Sequence, residues 1–559
     1  MPSQPWLRHY PAEVPPTYRY PKRNLASFLI DSAEAYPNRT ALEFMGKKIS
    51  YSSLLRSARR FANALLRLGI RKGDRVAVML PNCPQAVIAY YGTLMMGGVV
   101  VMTNPLYVPR ELEHQLADAD VRAIVTLDAL LKRVRDATAE RPLERVIVTS
   151  VADYLPFPLN LLYGLKQRRE GTAVNVSYDD KVRSFRELLA VSGEDPVEVH
   201  MDPERELALL QYTGGTTGLA KGVMLTHANL VANTIQSRLW CHKAGQAKER
   251  YLAALPFFHV FGLTCLLNLG IYTAGTLILV PRFEIDRVLD TIRKRKPTVF
   301  PGAPTMYIAV INHPRISRFN LSSIEMCISG AAPLPLHVQE RFEALTGGRL
   351  IEGYGLTEAS PVTHANNIWG KRKHGSIGIP FPDTDARIVK PGTFEDAEPG
   401  EIGELAVRGP QVMQGYWKRP EETAKILQDG WLLTGDLGRM DEDGFFYILD
   451  RSKDLIIAGG YNVYPREVEE VLYGHPDVEE AAVAGIADPY RGETVKAYIV
   501  LKPGADATAD DLKIWCKERL AAYKVPKLYE IRDKLPKTMA GKVLRRKLIE
   551  EESEQAPKT

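Results

Sequence analysis

Tyr212-Thr213-Gly214-Gly215-Thr216-Thr217-Gly218-Leu219-Ala220-Lys221-Gly222 sets four glycines, three threonines and one lysine in a single short stretch. Glycines let backbone N–H groups approach an anion closely, hydroxyls add donors, and a lysine supplies a point charge that reaches phosphate oxygens. The apolar run 207–210 ahead of it reads as a buried strand and residues 226–234 after it as a helix, so the loop is expected between a strand and a helix. A P-loop carries glycine immediately before its lysine and serine or threonine immediately after it. Here Ala220 and Gly222 occupy those positions, and a kinase or GTPase reading loses its support. Glycine- and threonine-rich runs also make ordinary surface turns. The motifs found elsewhere in the chain favour phosphate.

On either side, the hydrophobic pattern alternates. Residues 76–80 read as strand, 85–96 as helix, 99–102 as strand, 110–119 as helix and 123–126 as strand. Repeated β-α units build a parallel sheet with helices on its faces. The rhythm returns at 277–280, 285–294, 298–300 and 324–329. Ligands in such sheets collect beyond the carboxyl ends of strands, which is where Ser329-Gly330-Ala331-Ala332 and Glu352-Gly353-Tyr354-Gly355-Leu356-Thr357-Glu358 fall. After Gly403 the strands shorten, at 404–408 and 445–449. Past Arg451 the order becomes helix 465–473, strand 480–485, strand 495–501 and helix 510–519, with Thr508 and Asp511 spaced as a capping box.

A chain of 559 residues exceeds one compact core, so at least two domains are expected. The class is α/β: a large N-terminal domain over 1–450 with doubly wound parallel sheets and a small β-rich subdomain, then a small mobile α+β domain over 451–559. The boundary falls in the charged stretch 450–454, with a hinge at about 451–454. A net charge of +5 is small for this length and gives no reason to expect nucleic acid as a partner. Five scattered cysteines without ligand spacing suit a reduced, cytoplasmic compartment. No secretory signal is expected from residues 1–20.

Two apolar stretches bear on membranes. Residues 253–280 contain no Asp, Glu, Lys or Arg, but they include Pro256, His259, Asn268 and three glycines and end in a β-rich run. They read as interior, because a sheet covered on both faces also gives continuous apolar sequence. Residues 154–165 are apolar and broken by prolines, and Lys166-Gln167-Arg168-Arg169 follows. A shallow contact with anionic lipid uses this composition, as does a surface excursion packed on its own domain, and both stay open.

Three further motifs carry chemistry. Tyr354 to Glu358 offers a ring to stack on a purine, a close-approach glycine, a hydroxyl for phosphate and a carboxylate suited to Mg²⁺. Gly430-Trp431-Leu432-Leu433-Thr434-Gly435-Asp436 sets a carboxylate in what reads as a turn, suited to ribose hydroxyls. Pro536-Lys537-Thr538-Met539-Ala540-Gly541-Lys542 presents Lys542 in a turn near the end of the chain.

Together with Asp450-Arg451-Ser452-Lys453-Asp454 and Gly459-Gly460-Tyr461, in this order, these segments resemble the adenylate-forming superfamily of acyl-CoA synthetases, adenylation domains and luciferases. The resemblance spans nearly the whole chain. Leu255-Pro256-Phe257-Phe258-His259-Val260-Phe261-Gly262 and 429–454 are similar to the long-chain fatty acid–CoA ligases within it. The resemblance implies a two-step ligase that uses ATP, Mg²⁺ and coenzyme A on a fatty acid. Lys542 would bridge the carboxylate and the α-phosphate, and Thr357 would bind that phosphate. Thr213 and Glu358 would hold Mg²⁺, and Thr213, Gly214, Gly215, Thr216, Thr217, Gly218 and Lys221 would wrap the outer phosphates. Gly330, Ala331, Gly353, Tyr354 and Gly355 join the nucleotide site, while Asp436 and Arg451 would take the ribose. Lys453 would serve as hinge and Gly459 with Gly460 would line the pantetheine tunnel. His259 either closes the acyl site or is an ordinary satisfied histidine. One kind of long-chain enzyme has a tryptophan after the His-Val pair where this chain has Phe261 and Gly262, so chain length stays undecided between long, shorter and aryl acids. A non-catalytic nucleotide or lipid binder is the alternative from a different class, and a homodimer is an assembly the sequence leaves open.

Overall fold

A computed structural model of the chain describes residues 4–170, 173–213, 220–398, 400–451, 454–458, 461–488, 492–538 and 543–555. The expectations placed on Gly214, Gly215, Thr216, Thr217, Gly218, Lys453, Gly459, Gly460 and Lys542 lie outside the described residues.

The first β-α units fold as their hydrophobic pattern predicts. Strands Val99–Met102, Arg75–Met79, Val121–Leu127, Arg145–Thr149 and Val182–Ser184 form the parallel run of an eight-stranded sheet, joined on its other side by Leu207–Thr213. Helix Pro84–Met95 opens on proline, which costs nothing at a helix start, and is buried along its whole length. It lies close against helix Tyr51–Arg67, capped by Ser50, because Gly92 has no side chain: a Cβ there would come 2.7 Å from the Ala58 carbonyl.

A second sheet system holds two four-stranded parts. One runs in the order Arg250–Ala253, Thr276–Leu279, Thr40–Phe44, Lys47–Ser50; the other runs Met326–Ser329, Arg349–Gly355, Val362–Ala365, Ile379–Pro380. Val299 bridges to both Tyr251 and Met326 and joins the two parts. The strand expected at 298–300 is thus reduced to isolated bridges. The apolar stretch 253–280 is interior and its β-rich end is buried strand Thr276–Leu279, both as expected; before that strand Val260–Gly262, Leu263–Asn268 and Leu269–Tyr272 run on as one helical rod with a π-helical middle. Among the described residues no helix is long and apolar enough to cross a membrane.

An antiparallel sheet follows, with strands Asp385–Val389, Gly403–Arg408, Trp431–Met440 and Phe446–Arg451. The last sheet pairs Ile456–Ala458, Val478–Asp488, Gly492–Leu501 and Leu528–Ile531, and helices Pro465–Tyr473 and Ala509–Lys517 cover it. Its own apolar cluster includes Val468, Leu472, Val483 and Leu512. The Thr508–Asp511 capping box forms as expected, each side chain bonded to the other residue's backbone.

Candidate active site

The glycine- and threonine-rich stretch connects two strands, which corrects the expected strand-to-helix placement. Leu207–Thr213 and Lys221–Thr226 pair antiparallel, with Thr213 opposite Lys221, and the helix begins only at His227. Thr226 caps that helix through the Asn229 amide. A strand fits between because 222–226 must pair with 207–212 and with Gly415–Tyr416 on its other edge.

Thr213 and Lys221 open onto a cavity of about 1070 Å³. The carboxyl ends of Met326–Ser329 and Arg349–Gly355 bring Gly330, Ala331, Gly353, Tyr354 and Gly355 to the same cavity. Gly355 admits no side chain, since a Cβ would lie 2.1 Å from the Pro361 carbonyl oxygen. The turn Thr357–Ala359 adds Thr357 and Glu358. The Tyr416 hydroxyl donates to Glu358 Oε1 at 2.7 Å, and burial beside that carboxylate raises the tyrosine, keeping it a donor. Lys221 forms an ion pair with Glu422 and lies 5.1 Å over the Tyr416 ring.

Asp436 and Arg451 face each other across neighbouring strands, Arg451 Nε 3.4 Å from Asp436 Oδ1. The Tyr354 hydroxyl donates to Asp436 Oδ2. Burial, with Asp436 adding to it, holds Tyr354 well above its ordinary range, so it remains protonated. Asp436 was expected in a turn; it sits within strand Trp431–Met440 instead, 7% exposed. What read as a turn is a local kink at Gly435, whose φ of +76° suits glycine. Buried Glu404 secures the kink: Oε1 accepts from Gly435 N at 2.8 Å and Oε2 from Gly392 N at 2.9 Å.

The remaining wall is apolar. Pro256, Phe258, Val260, Phe261 and Ile328 line it. A Cβ on Gly330 would come 3.1 Å from the Phe261 ring, so the apolar wall meets the glycine floor there. His259 lines the cavity and also caps Val260–Gly262 through the Phe261 amide at 3.3 Å. That second bond is the ordinary role allowed for it in the sequence.

All twelve described residues expected in the site therefore border one cavity. Tyr416, Glu422, Gln211 and Glu404 also line it and were not expected. Tyr416, Glu422 and Glu404 arrive by long-range pairing with no local signal to mark them, whereas Gln211 directly precedes the glycine- and threonine-rich stretch. Thr538 and Leu544, which flank 539–542, border the cavity too.

Below the floor, Glu352 meets Arg466 at the start of helix Pro465–Tyr473, 3.6 Å apart and both buried. Arg466 Nη1 also donates to the Ile448 carbonyl at 2.7 Å, and its backbone N–H to Asp450 at 2.9 Å. Arg545 pairs with Asp454 and Glu469 and lies 3.5 Å from Asp450. Burial pushes the Glu352 carboxyl up to about 7, Arg466 opposing it. A carboxyl raised on folding contributes stability that is complete below its unfolded value, near 4.5, and is lost as pH rises through about 7. Glu352→Gln is therefore expected to raise the thermal midpoint by roughly one to a few degrees above pH 7 and to change it little near pH 5. Scanning calorimetry at the two pH values checks this; an equal shift at both would show that Glu352 does not titrate in this range.

The family model described as AMP-binding enzyme matches residues 29–417, and that described as AMP-binding enzyme C-terminal domain matches 467–542. The chain is 53% identical over 556 residues to the long-chain-fatty-acid–CoA ligase of Bacillus subtilis strain 168, covering 99% of each. Among solved structures, ATP-bound MatB from Rhodopseudomonas palustris superposes with a TM-score of 0.83 at 31% identity, covering 95% of this chain and 99% of that one. The anthranilate CoA ligase AuaEII in complex with anthranoyl-AMP gives 0.85 at 28% identity, covering 96% and 98%.

Proposed function

We propose, for a chain that belongs to the AMP-binding, adenylate-forming enzyme family, that it activates a long-chain fatty acid with ATP and passes the acyl group to coenzyme A. One observation carries the site assignment: the Asp436–Arg451–Tyr354 cluster, Thr357 with Glu358, and the apolar wall of Phe258 and Phe261 border a single cavity.

In the first step a carboxylate oxygen of the fatty acid bonds to the α-phosphorus, the bond to the bridging oxygen breaks, and pyrophosphate leaves. Two anions approach one another, so donors fixed where charge gathers do most of the catalytic work. Thr357 and Lys542 serve the α-phosphate, Thr213 and Lys221 the outer phosphates, and Asp436 with Arg451 the ribose hydroxyls. Lys221 must leave Glu422 to do this, and their ion pair is partly exposed, which keeps the exchange cheap. Thr213 and Glu358 fit Mg²⁺, a hard ion that takes one or two carboxylates and completes its shell with substrate phosphate and water. Among the described residues no group of three or more His, Cys, Asp or Glu could hold a metal ion. When bound, the ion neutralises phosphate charge.

In the second step the coenzyme A sulfur bonds to the acyl carbon, the bond to the adenylate oxygen breaks, and AMP leaves with the thiol proton passing to solvent. Lys542 has no part in it. Residues 451–559 turn as a unit about 451–454, withdrawing Lys542 and bringing Gly459 and Gly460 to the pantetheine. Lys453→Pro, which stiffens the pivot, is expected to keep pyrophosphate release and to slow thioester formation about tenfold or more. Rapid-quench measurement of both products checks this; equal loss of both would place the pivot elsewhere.

The cavity's aromatic wall and the likeness to an anthranilate CoA ligase favour aryl acids as a second substrate class. Assays of palmitate, octanoate and coumarate with ATP and coenzyme A decide between them. Palmitoyl-CoA with AMP as the main products supports the first class, and coumaroyl-CoA alone overturns it.

A further inference from the structure

After strand Arg145–Thr149 the segment 155–169 packs Leu155 and Tyr163 against the core but turns its other apolar residues outward. Phe157 is 80% exposed, and helix Leu159–Arg169 shows Leu161, Leu162 and Leu165 at 51–61%. Single exposed apolar residues need no explanation, but a contiguous group marks a contact site. Met45, 48% exposed at the tip of the hairpin joining Thr40–Phe44 to Lys47–Ser50, extends the group. The neighbouring Gly46 lies against both Pro156 and Arg295.

Cations surround this group. Lys47 sits 5.0 Å over the Tyr154 ring, Lys48 is exposed beside it, and Arg168 and Arg169 are exposed at the end of the helix. Arg295 also pairs with buried Glu43, and Glu170 follows the arginines, so the rim is positive without being uniform.

The geometry points to this face as a docking site for an anionic lipid bilayer, with Phe157 and the leucines seated at the headgroup boundary and the cations on lipid phosphates. A second copy of the chain fits less well, because a two-fold axis through the face would set its positive rim against itself. Residues 82–85 link the base of the excursion to the segment that carries the apolar wall of the cavity. Gln85, at the start of helix Pro84–Met95, donates to Thr149 at 3.1 Å and to the Ser150 carbonyl at 2.8 Å, and so anchors the base of the excursion. Asn82, just before that helix, donates to the Leu255 carbonyl at 2.8 Å and accepts from Phe257 N–H at 2.9 Å, holding the segment that carries Pro256 and Phe258. A fatty acid drawn from the bilayer would reach the cavity from the side of the fold that carries this excursion. That last step rests on the ligase reading; docking does not.

Co-sedimentation of the full chain with vesicles of phosphatidylcholine, and of equal parts phosphatidylcholine and phosphatidylglycerol, tests the proposal. Preferential binding to the anionic vesicles is expected. It should weaken roughly tenfold or more in Leu161→Ser with Leu165→Ser and, separately, in Arg168→Glu with Arg169→Glu. Acyl-CoA formation from a dissolved fatty acid without vesicles should be unchanged in both. Binding equal to the parent's in both double variants, or no binding by the parent to either vesicle, overturns the proposal. So does a change from dimer to monomer in the leucine variant with vesicle binding intact, which would make the face a self-interface. Absence of acyl-CoA formation in the parent would count against the ligase reading instead, while sedimentation still decides docking.

Discussion

Replacing Lys542 by alanine is expected to slow acyl-adenylate formation by about a hundredfold or more, the usual effect of removing one donor of ~3 kcal/mol from a site of developing charge. The carboxylate and the α-phosphate both carry negative charge, and their approach is the costly part of the first step. Thr538 and Leu544, on either side of 539–542, border the cavity that holds Thr357 and Asp436. The expected loss is confined to one half-reaction. Starting from preformed acyl-adenylate, thioester formation should stay within a few-fold of the parent, and ATP affinity should change little, since Asp436 and Arg451 would carry most of it. Single-turnover measurement of pyrophosphate release and of thioester formation separates the two. If both fell equally, Lys542 would be acting on folding or on coenzyme A.

The second large effect is expected at Asp436. Its carboxylate is 7% exposed, accepts from Tyr354, and faces Arg451, so its two oxygens are already oriented. Hydrogen bonds to a charged group contribute roughly 1.5–3 kcal/mol, so Asp436→Ala should raise the KM for ATP between about tenfold and a hundredfold or more. The KM for the fatty acid should hardly move, because the apolar wall is formed by other residues. Asp436→Asn keeps the shape and should lose less. Steady-state titration of each substrate in turn checks the split. A loss of thermal stability with the ATP KM unchanged would assign Asp436 to the strand pair alone.

Much of this architecture is legible in the sequence, for reasons that differ by element. Helix Pro465–Tyr473 was bounded correctly because proline marks its start and its apolar positions follow a helical period. The alternation over 75–126 is readable because parallel strands covered on both faces are continuously apolar. Lys221–Thr226 was missed because a strand depends on its partners. The helix expected from 226 begins one residue on, at His227, and only pairing with Leu207–Thr213 shows the residues before it to be strand. The apolar run at 260–272 was ambiguous since periodicity cannot separate a buried strand from a buried helix.

The site follows the same division. Gly353 to Glu358 could be read because its groups are adjacent in sequence. Gly435-Asp436 was found but misplaced: a glycine inside an apolar strand reads as a turn, and the side chain that makes it a kink, Glu404, lies 31 residues away. Tyr416 was invisible for the same reason, a lone residue brought in by tertiary structure, and Glu352, though it opens the 352–358 motif, gives no sign in sequence of its partner Arg466.

Fatty-acid-dependent exchange of labelled pyrophosphate into ATP, with coenzyme A omitted, tests the acyl-adenylate most directly. Label should enter ATP only when a fatty acid is present, and the rate should fall about a hundredfold in Lys542→Ala. ATP binding without exchange, or ATP consumption that yields ADP, would contradict activation through an acyl-adenylate.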